Sequence, residues 1–116
     1  MTDKNADLSS QQCSNSSADC VALKQDEIRA FLQRLDPAWQ FNSEALTISH
    51  SYTFKNYYQT IAFVNVIAQI AHQQDHHPDL MISYNRCTVT YSTHSVAGLS
   101  INDFICAAKI NAAQTL

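Results

Sequence analysis

The stretch from Phe54 to Asp75 predicts a long helix, because it contains neither glycine nor proline and its apolar residues recur at helical spacing. These apolar residues fall on three lines along the helix: Phe54, Ile61 and Ala68; Tyr57, Val64 and Ala71; and, roughly opposite, Phe63 and Ile70. A helix that is apolar on several sides must be covered on several sides. A sheet can cover one side, so we expect a neighbouring helix or a second subunit to cover the rest.

The end of this helix carries a cluster of titratable side chains. Pro78 lacks an N–H group and disfavours the α conformation of His77, so we expect the helix to end near Asp75 or His76. The cluster comprises His72, Asp75, His76, His77, His94 and Asp103. Imidazole donates and accepts protons near neutral pH, and it also binds metals. The cluster therefore indicates acid/base catalysis or a metal site.

The flanking segments predict two hairpins and two further helices. Helical spacing over 24–35 stops at Pro37, and Ser100 to Asp103 has the capping-box form that begins a last helix. Alternating apolar residues predict paired strands over 38–53 and over 80–92, with turns at 42–44 and 85–86. Gly98 marks a tight turn. The order α-β-β-α-β-β-α predicts an α+β domain, with helices packed on one face of a four-stranded antiparallel sheet.

Composition narrows the class of partner. The chain has 116 residues, 46% of them hydrophobic, and a net charge of −3, which offers no attraction to nucleic acid or to an anionic membrane. Its longest apolar passage, 61–71, is interrupted by Asn65 and Gln69 and is too short to span a bilayer. Residues 1–20 lack the apolar centre of an export signal. We therefore expect a cytoplasmic protein that binds neither nucleic acid nor membrane.

The first 22 residues differ in character from the rest. They are polar, free of aromatic residues and without periodicity, so we expect a flexible N-terminal tail over 1–22 followed by a single domain over 23–116. The four cysteines form no C-x-x-C pair, and reduced thiols are expected. Cys87 and Cys106 occupy positions that a strand and a helix would bury, whereas Cys13 and Cys20 fall in the tail.

The spacing of the cluster resembles a known signature. The pattern His72-x3-His76-His77-Pro78-x5-Tyr84-x9-His94-x8-Asp103 is similar, position by position, to that of the pterin-4a-carbinolamine dehydratases. Further matching positions are Pro37-x-Trp39, Phe54, Phe63, Thr93-His94 and Gly98-Leu99-Ser100. The resemblance covers about residues 24–112 and leaves the tail outside it.

The resemblance implies an enzyme that dehydrates a 4a-hydroxytetrahydropterin to the quinonoid dihydropterin. This reaction recycles the cofactor of aromatic amino acid hydroxylases, so a functional link to such a hydroxylase is expected. The pterin is the substrate, and the reaction needs neither a metal nor a redox cofactor. The several apolar faces of the long helix predict self-association, as a homodimer or a homotetramer.

The resemblance assigns roles to residues by position. His76 and His94 are implied to be the acid/base pair, and His77 is implied to position the substrate. Asp75 and Asp103 are similar to carboxylates that orient those histidines. Trp39 matches a tryptophan that contacts the flat pterin ring. His72 stands where the animal members of the family often have glutamate, and its role stays open.

Other interpretations of the same residues remain open from sequence. His72 and His76 have the i, i+4 spacing of a zinc-binding pair and could form a three-histidine site with His94. Asp103 is also the capping-box partner of Ser100, and Trp39 is also suited to an ordinary core position. A non-catalytic dimerisation or coactivator module on the same fold is the alternative function.

Overall fold

The computed structural model describes residues 6–114, with four α-helices and four strands. The helices are α1 (Ala6–Ser9), α2 (Gln25–Leu32), α3 (Tyr57–Gln74) and α4 (Ile101–Gln114). The strands are β1 (Gln40–Asn42), β2 (Thr47–Thr53), β3 (Asp79–Ser83) and β4 (Arg86–Tyr91), and a 3-10 turn covers His94–Val96. The strands form an antiparallel sheet in the order β1-β2-β4-β3. The predicted α+β fold is confirmed, with α1 as an addition that the sequence did not predict.

The core lies between the sheet and the helices. On β4, Cys87, Val89 and Tyr91 are completely buried, and Thr88 and Thr90 alternate with them on the other face. Every residue from 102 to 108 of α4 is also buried, because this helix packs against both α1 and α3. Helix α3 in turn contacts α4, β3 and β4. Within residues 6–114, no helix combines the length and apolar character needed to cross a bilayer.

Helix α3 ends where Pro78 predicted. Its last helical residue is Gln74, and Asp75 adopts the left-handed conformation with φ 50° and ψ 44°. The N–H groups of Asp75 and His76 both donate to the carbonyl of Ala71, which closes the helix. Aspartate is one of the few non-glycine residues that tolerate this conformation. The chain thus reverses at Asp75 and directs His76 back toward the body of the domain.

Two turns differ in detail from the predictions. The turn between β3 and β4 contains Tyr84 and Asn85, one residue earlier than expected. In the loop before α4, the left-handed residue is Ala97, with φ 53°, whereas Gly98 has an ordinary φ. Gly98 instead exchanges backbone hydrogen bonds with Thr93, which close the loop. The turn is therefore present, but it does not depend on the conformational freedom of glycine.

The N-terminal segment, residues 6–20, packs against the domain, which differs from the flexible tail expected over 1–22. Leu8 is completely buried, and α1 lies on α4. The side-chain oxygen of Gln74 accepts a hydrogen bond from the Cys13 N–H at 2.8 Å, and Asn102 donates to the Ser14 carbonyl at 2.9 Å. Buried amide groups on α3 and α4 thus satisfy backbone groups that would otherwise favour solvent. Residues 1–5, the start of the expected tail, lie outside the described residues.

Candidate active site

His76, His77 and His94 line one cleft, which we call the histidine cleft. It has a volume of about 190 Å³, and its walls are completed by Asn15, Asp75, Ser92, Thr93 and Ser95. The first two histidines follow the end of α3, and His94 begins the 3-10 turn after β4. The break in α3 and the exit of β4 therefore bring together side chains from separate parts of the sequence.

A larger depression lies elsewhere on the surface. It has a volume of about 480 Å³ and is lined by residues 40–44 and by Ser49, in the region of the β1–β2 hairpin. Glu44 is the titratable residue of this lining, which holds no histidine or cysteine. A general acid or base must lie within hydrogen-bond reach of the group it serves. The smaller histidine cleft is therefore the better candidate for chemistry.

His76 is the most constrained of the three histidines. It is buried, with 8% of its surface exposed, and its Nε2 lies 2.6 Å from Oδ1 of Asp103. The imidazole also lies parallel to the ring of Tyr91, with centroids 5.6 Å apart and an interplanar angle of 9°. Packing and hydrogen bonding together hold the ring in one orientation, as an acid/base group requires.

Asp103 binds three groups although it is completely buried. One carboxylate oxygen faces His76, and the other accepts hydrogen bonds from the Thr93 hydroxyl at 2.7 Å and from the Ser100 N–H at 3.0 Å. The bond from Ser100 is the capping-box contact that begins α4. Asp103 therefore combines the two arrangements that the sequence left open, a helix cap and a carboxylate beside a histidine.

The surroundings of His76 raise its pKa above the ordinary value of 6.5. Burial acts to lower this pKa, but the hydrogen bond to Asp103 and the negative charges of Asp103, Cys13 and Asp75 outweigh burial. The imidazolium form is thus favoured closer to neutral pH than in a free histidine. His76 is suited to hold a proton and to deliver it within the cleft.

The open side of the cleft is formed by more exposed groups. His77 and His94 are both exposed, so a small molecule can approach them from solvent. Asp75 is exposed as well, and its carbonyl and carboxylate oxygens each accept a hydrogen bond from the Asn15 amide at 3.2 Å. Asp75 thus contacts the N-terminal segment and acts on His76 through its charge.

Trp39 and His72 are not among the residues that line the histidine cleft. We expected Trp39 to contact a bound ring, but only 4% of its surface is exposed, and it lies edge-on to His50 with centroids 5.4 Å apart. The structure therefore places Trp39 in the core, the other position considered for it. His72 is exposed on α3, one turn before the helix ends. Within residues 6–114, no three His, Cys, Asp or Glu side chains are placed to hold a metal ion.

Sequence reasoning missed the small polar residues of the cleft. Asn15 was assigned to the flexible tail, and no local pattern distinguishes it from the serines around it. Thr93 was noted only as the neighbour of His94, yet its hydroxyl bonds both Asp103 and the Ser100 hydroxyl. A threonine at the exit of an apolar strand, before a capping box, is the signal that could have identified it.

The sequence profile of the family described as pterin 4 alpha carbinolamine dehydratase matches residues 21–113. The chain belongs to this family. The resemblance in the sequence is thereby confirmed, and the cluster at 72–103 lies within the matched region. The profile begins after the N-terminal segment, so Asn15 lies outside the part of the chain that it describes.

Relatives from several bacteria support the assignment. A protein of Nitrosomonas eutropha is 47% identical over 105 residues, which cover 90% of this chain and 91% of the relative. A protein of Bdellovibrio bacteriovorus is 56% identical over 95 residues, which cover 78% of this chain and 77% of the relative. Both carry pterin-4-alpha-carbinolamine dehydratase as a provisional name.

Solved structures extend the likeness to three dimensions. A transcriptional coactivator/pterin dehydratase from Brucella melitensis superposes with a TM-score of 0.74 at 35% identity, over 78% of this chain and 96% of that chain. A pterin dehydratase-like protein described as a RuBisCO assembly factor of the alpha-carboxysome has a TM-score of 0.57 at 18% identity, over 65% of this chain and 87% of that chain. This second likeness is one of fold alone. The dehydratase fold therefore occurs in proteins with different descriptions.

Proposed function

We propose that this protein dehydrates a 4a-hydroxytetrahydropterin to the quinonoid dihydropterin. The observation that carries the proposal is the meeting of His76, His77 and His94 in one cleft of a chain that belongs to the dehydratase family. Loss of water from a carbinolamine needs one group that gives a proton and one that takes a proton. Imidazoles provide both near neutral pH.

In the proposed mechanism, His76 is the acid. Its Nε2 is held by Asp103, so Nδ1 is the nitrogen left to exchange a proton with the substrate. The imidazolium delivers that proton to the C4a hydroxyl, the C4a–O bond breaks, and water leaves. The N5 lone pair meanwhile forms the C=N bond, and His94 accepts the proton that N5 releases. The raised pKa of His76 supports this assignment, because it favours the protonated form before each turnover.

The size of the cleft bears on which part of the substrate it holds. At about 190 Å³ it is smaller than sites that enclose a drug-sized ligand, which occupy about 300–1,000 Å³. The cleft therefore holds the two-ring head of the pterin and leaves the side chain at C6 in solvent. His77 and Asp75, at its open side, position the ring. The reaction uses no metal and no redox cofactor, and it serves an aromatic amino acid hydroxylase in the cytoplasm.

The assay for this function follows the carbinolamine in a hydroxylase reaction. Adding the protein to a pterin-dependent aromatic amino acid hydroxylase during turnover is expected to shorten the lifetime of the transient carbinolamine absorbance. The spontaneous decay in the same mixture without the protein is the reference. A decay rate that does not rise with the concentration of the protein would contradict the proposal.

A binding function is the second candidate, favoured by the Brucella structure, whose description names a transcriptional coactivator together with a pterin dehydratase. In that case the protein acts by binding a protein partner, and the histidine cleft has no catalytic role. The hydroxylase assay distinguishes the two functions, because a pure binding module leaves the carbinolamine decay at its spontaneous rate.

Self-association is part of the proposal. Large apolar side chains remain exposed on α3 and along the β3–β4 hairpin: Tyr58 (82%), Met81 (75%), Tyr84 (63%) and Val66 (41%). An exposed apolar surface of this kind is typical of an interface. Light scattering after size-exclusion chromatography is expected to give two or four times the chain mass of 13.0 kDa. A mass of one chain at all concentrations would contradict self-association.

A further inference from the structure

The thiols of Cys13 and Cys106 lie side by side, although 93 positions separate them in the sequence. Their sulfur atoms are 3.6 Å apart. Cys13 belongs to the N-terminal segment and is half-buried, whereas Cys106 is completely buried in α4. The other two cysteines differ in their contacts, since Cys20 accepts a hydrogen bond from Asn102 and Cys87 lies in β4. Only one pair of described cysteines is therefore placed for mutual chemistry.

The local backbone allows the two sulfurs to bond. A disulfide requires about 2.05 Å between its sulfurs, so these must approach by about 1.5 Å. Residues 12–15 lie outside helices and strands and are held by side-chain hydrogen bonds, such as the one from the Cys13 N–H to Gln74, whereas Cys106 lies within a helix. We therefore expect the chain around Cys13 to make the required movement, because a shift there needs no break in a helix or a strand.

The two thiols also differ in reactivity. The hydrogen bond with Cys106 lowers the pKa of Cys13 against the effect of burial, and the positive charges of His76 and Lys109 lower it further. The same hydrogen bond and burial raise the pKa of Cys106. A thiolate therefore forms more readily at Cys13, which is also the thiol that a solute can reach.

We propose that Cys13 and Cys106 form a reversible disulfide when the protein meets a peroxide. The Cys13 thiolate attacks a peroxide oxygen, the O–O bond breaks, and with one proton from solvent the products are a sulfenic acid and water. The Cys106 sulfur then attacks the Cys13 sulfur. The S–S bond forms, the S–O bond breaks, and the departing hydroxide leaves as water with the Cys106 proton. In sum, two thiols are oxidised and one hydrogen peroxide is reduced to two waters.

The disulfide would restrict the movement of one wall of the histidine cleft. Asn15 lines that cleft two residues after Cys13, and it bonds Asp75 at the end of α3. A covalent link from Cys13 to α4 fixes this short stretch beside the buried His76–Asp103 pair. Disulfides in reducing compartments are usually transient and redox-sensing, which fits a link that forms only on oxidation. The proposal does not depend on the reaction catalysed in the cleft.

Mass spectrometry of the intact protein tests the bond. One equivalent of hydrogen peroxide is expected to remove two hydrogen atoms from the wild-type protein, and dithiothreitol should restore them. The matched controls Cys20→Ser and Cys87→Ser should behave as the wild type, whereas Cys13→Ser and Cys106→Ser should not lose hydrogen. Oxygen addition without loss of hydrogen in the wild type, or a loss that persists in Cys13→Ser, would overturn the proposal.

A second measurement locates the link and tests its effect. In the double variant Cys20→Ser with Cys87→Ser, trypsin should yield peptides 5–24 and 87–109 as one disulfide-linked species. Because the bridge closes a long loop, it should raise Tm by roughly 10 °C, reversibly with dithiothreitol. If the two peptides were recovered separately, the proposed disulfide would be wrong. If they were linked but the oxidised protein had the same Tm as the reduced protein, the proposal that the disulfide fixes the N-terminal segment would be wrong.

Discussion

Replacing His76 or His94 with alanine is expected to lower kcat/KM for carbinolamine dehydration by about 10²–10⁴-fold, the contribution of a well-placed acid or base. His94 is exposed, so its loss should leave the fold intact. Because both groups serve the same step, kcat/KM of the double variant should be only slightly lower than that of the less active single variant. The measurement is the rate of carbinolamine decay in the hydroxylase reaction.

The control for this prediction is a histidine outside the cleft. His50 lies on β2, stacked on Tyr52, and is not among the lining residues of the histidine cleft. His50→Gln should keep kcat/KM within about twofold of the wild type, in line with the small effects of distant substitutions. If His94→Ala retained the wild-type rate while circular dichroism showed an intact fold, His94 could not be the base.

Asp103→Ala is expected to lower the free energy of unfolding by roughly 3–5 kcal/mol, the typical cost of removing one partner of a buried ion pair. The side chain is completely buried, and its loss leaves His76 and the Ser100 N–H without their acceptor and removes one of the two partners of the Thr93 hydroxyl. Urea unfolding monitored by circular dichroism measures the change. Asp79→Ala, at an exposed position in β3, is the matched control and should change the free energy by less than about 0.5 kcal/mol.

The milder variant Asp103→Asn separates the charge of this residue from its hydrogen bonds. The folded pKa of His76 lies above 6.5, so the attraction to Asp103 stabilises the fold fully below pH 6.5 and is lost as pH rises through the folded pKa. The destabilisation caused by Asp103→Asn should therefore be largest just below pH 6.5 and should shrink toward alkaline pH. A destabilisation that stays constant, or grows, between pH 6.5 and about 8.5 would show that His76 gains no proton affinity from Asp103.

The histidines of the cleft differ in their burial. His76 and Asp103 are buried and hold each other, whereas His77 and His94 are exposed. An acid that must keep its proton benefits from a carboxylate in a site screened from water, because the interaction of charges is stronger there. Groups that meet the substrate need access to solvent. The division between buried and exposed histidines thus matches the two tasks that the proposed reaction sets.

Much of the fold could be predicted from local rules. Pro78 ends α3 close to Asp75, and alternation on β4 correctly distinguishes Cys87, Val89 and Tyr91 as buried. The left-handed position at Ala97 escaped prediction, because glycine is the usual residue there and Gly98 stands next to it. Local preference indicated the turn but could not place its strained residue.

The candidate site was predictable in part. The spacing of the three cleft histidines resembles the family signature, and the capping-box form identified Asp103. The packing of the N-terminal segment was not predicted, because its few apolar groups look insufficient alone. Its packing depends on Leu8 and on the buried amides of Gln74 and Asn102, which receive it on the two helices. Trp39 is buried outside the cleft, which agrees with the core position considered for it from sequence, and its contact with a bound ring stays a prediction.

The sequence by itself determined the end of α3, the start of α4, the alternation of the strands and the identity of the family, because each depends on neighbouring residues or on fixed spacing. It placed the start of α3 three residues too early, at Phe54 instead of Tyr57, and the end of α2 three residues too late, at residue 35 instead of Leu32. Only the tertiary structure decided which side chains meet. The contact between His76 and Asp103, the closure of the cleft by Asn15 and the pairing of Cys13 with Cys106 all join distant segments. Such contacts follow from how α3, α4 and the N-terminal segment pack together, and no local pattern encodes that packing.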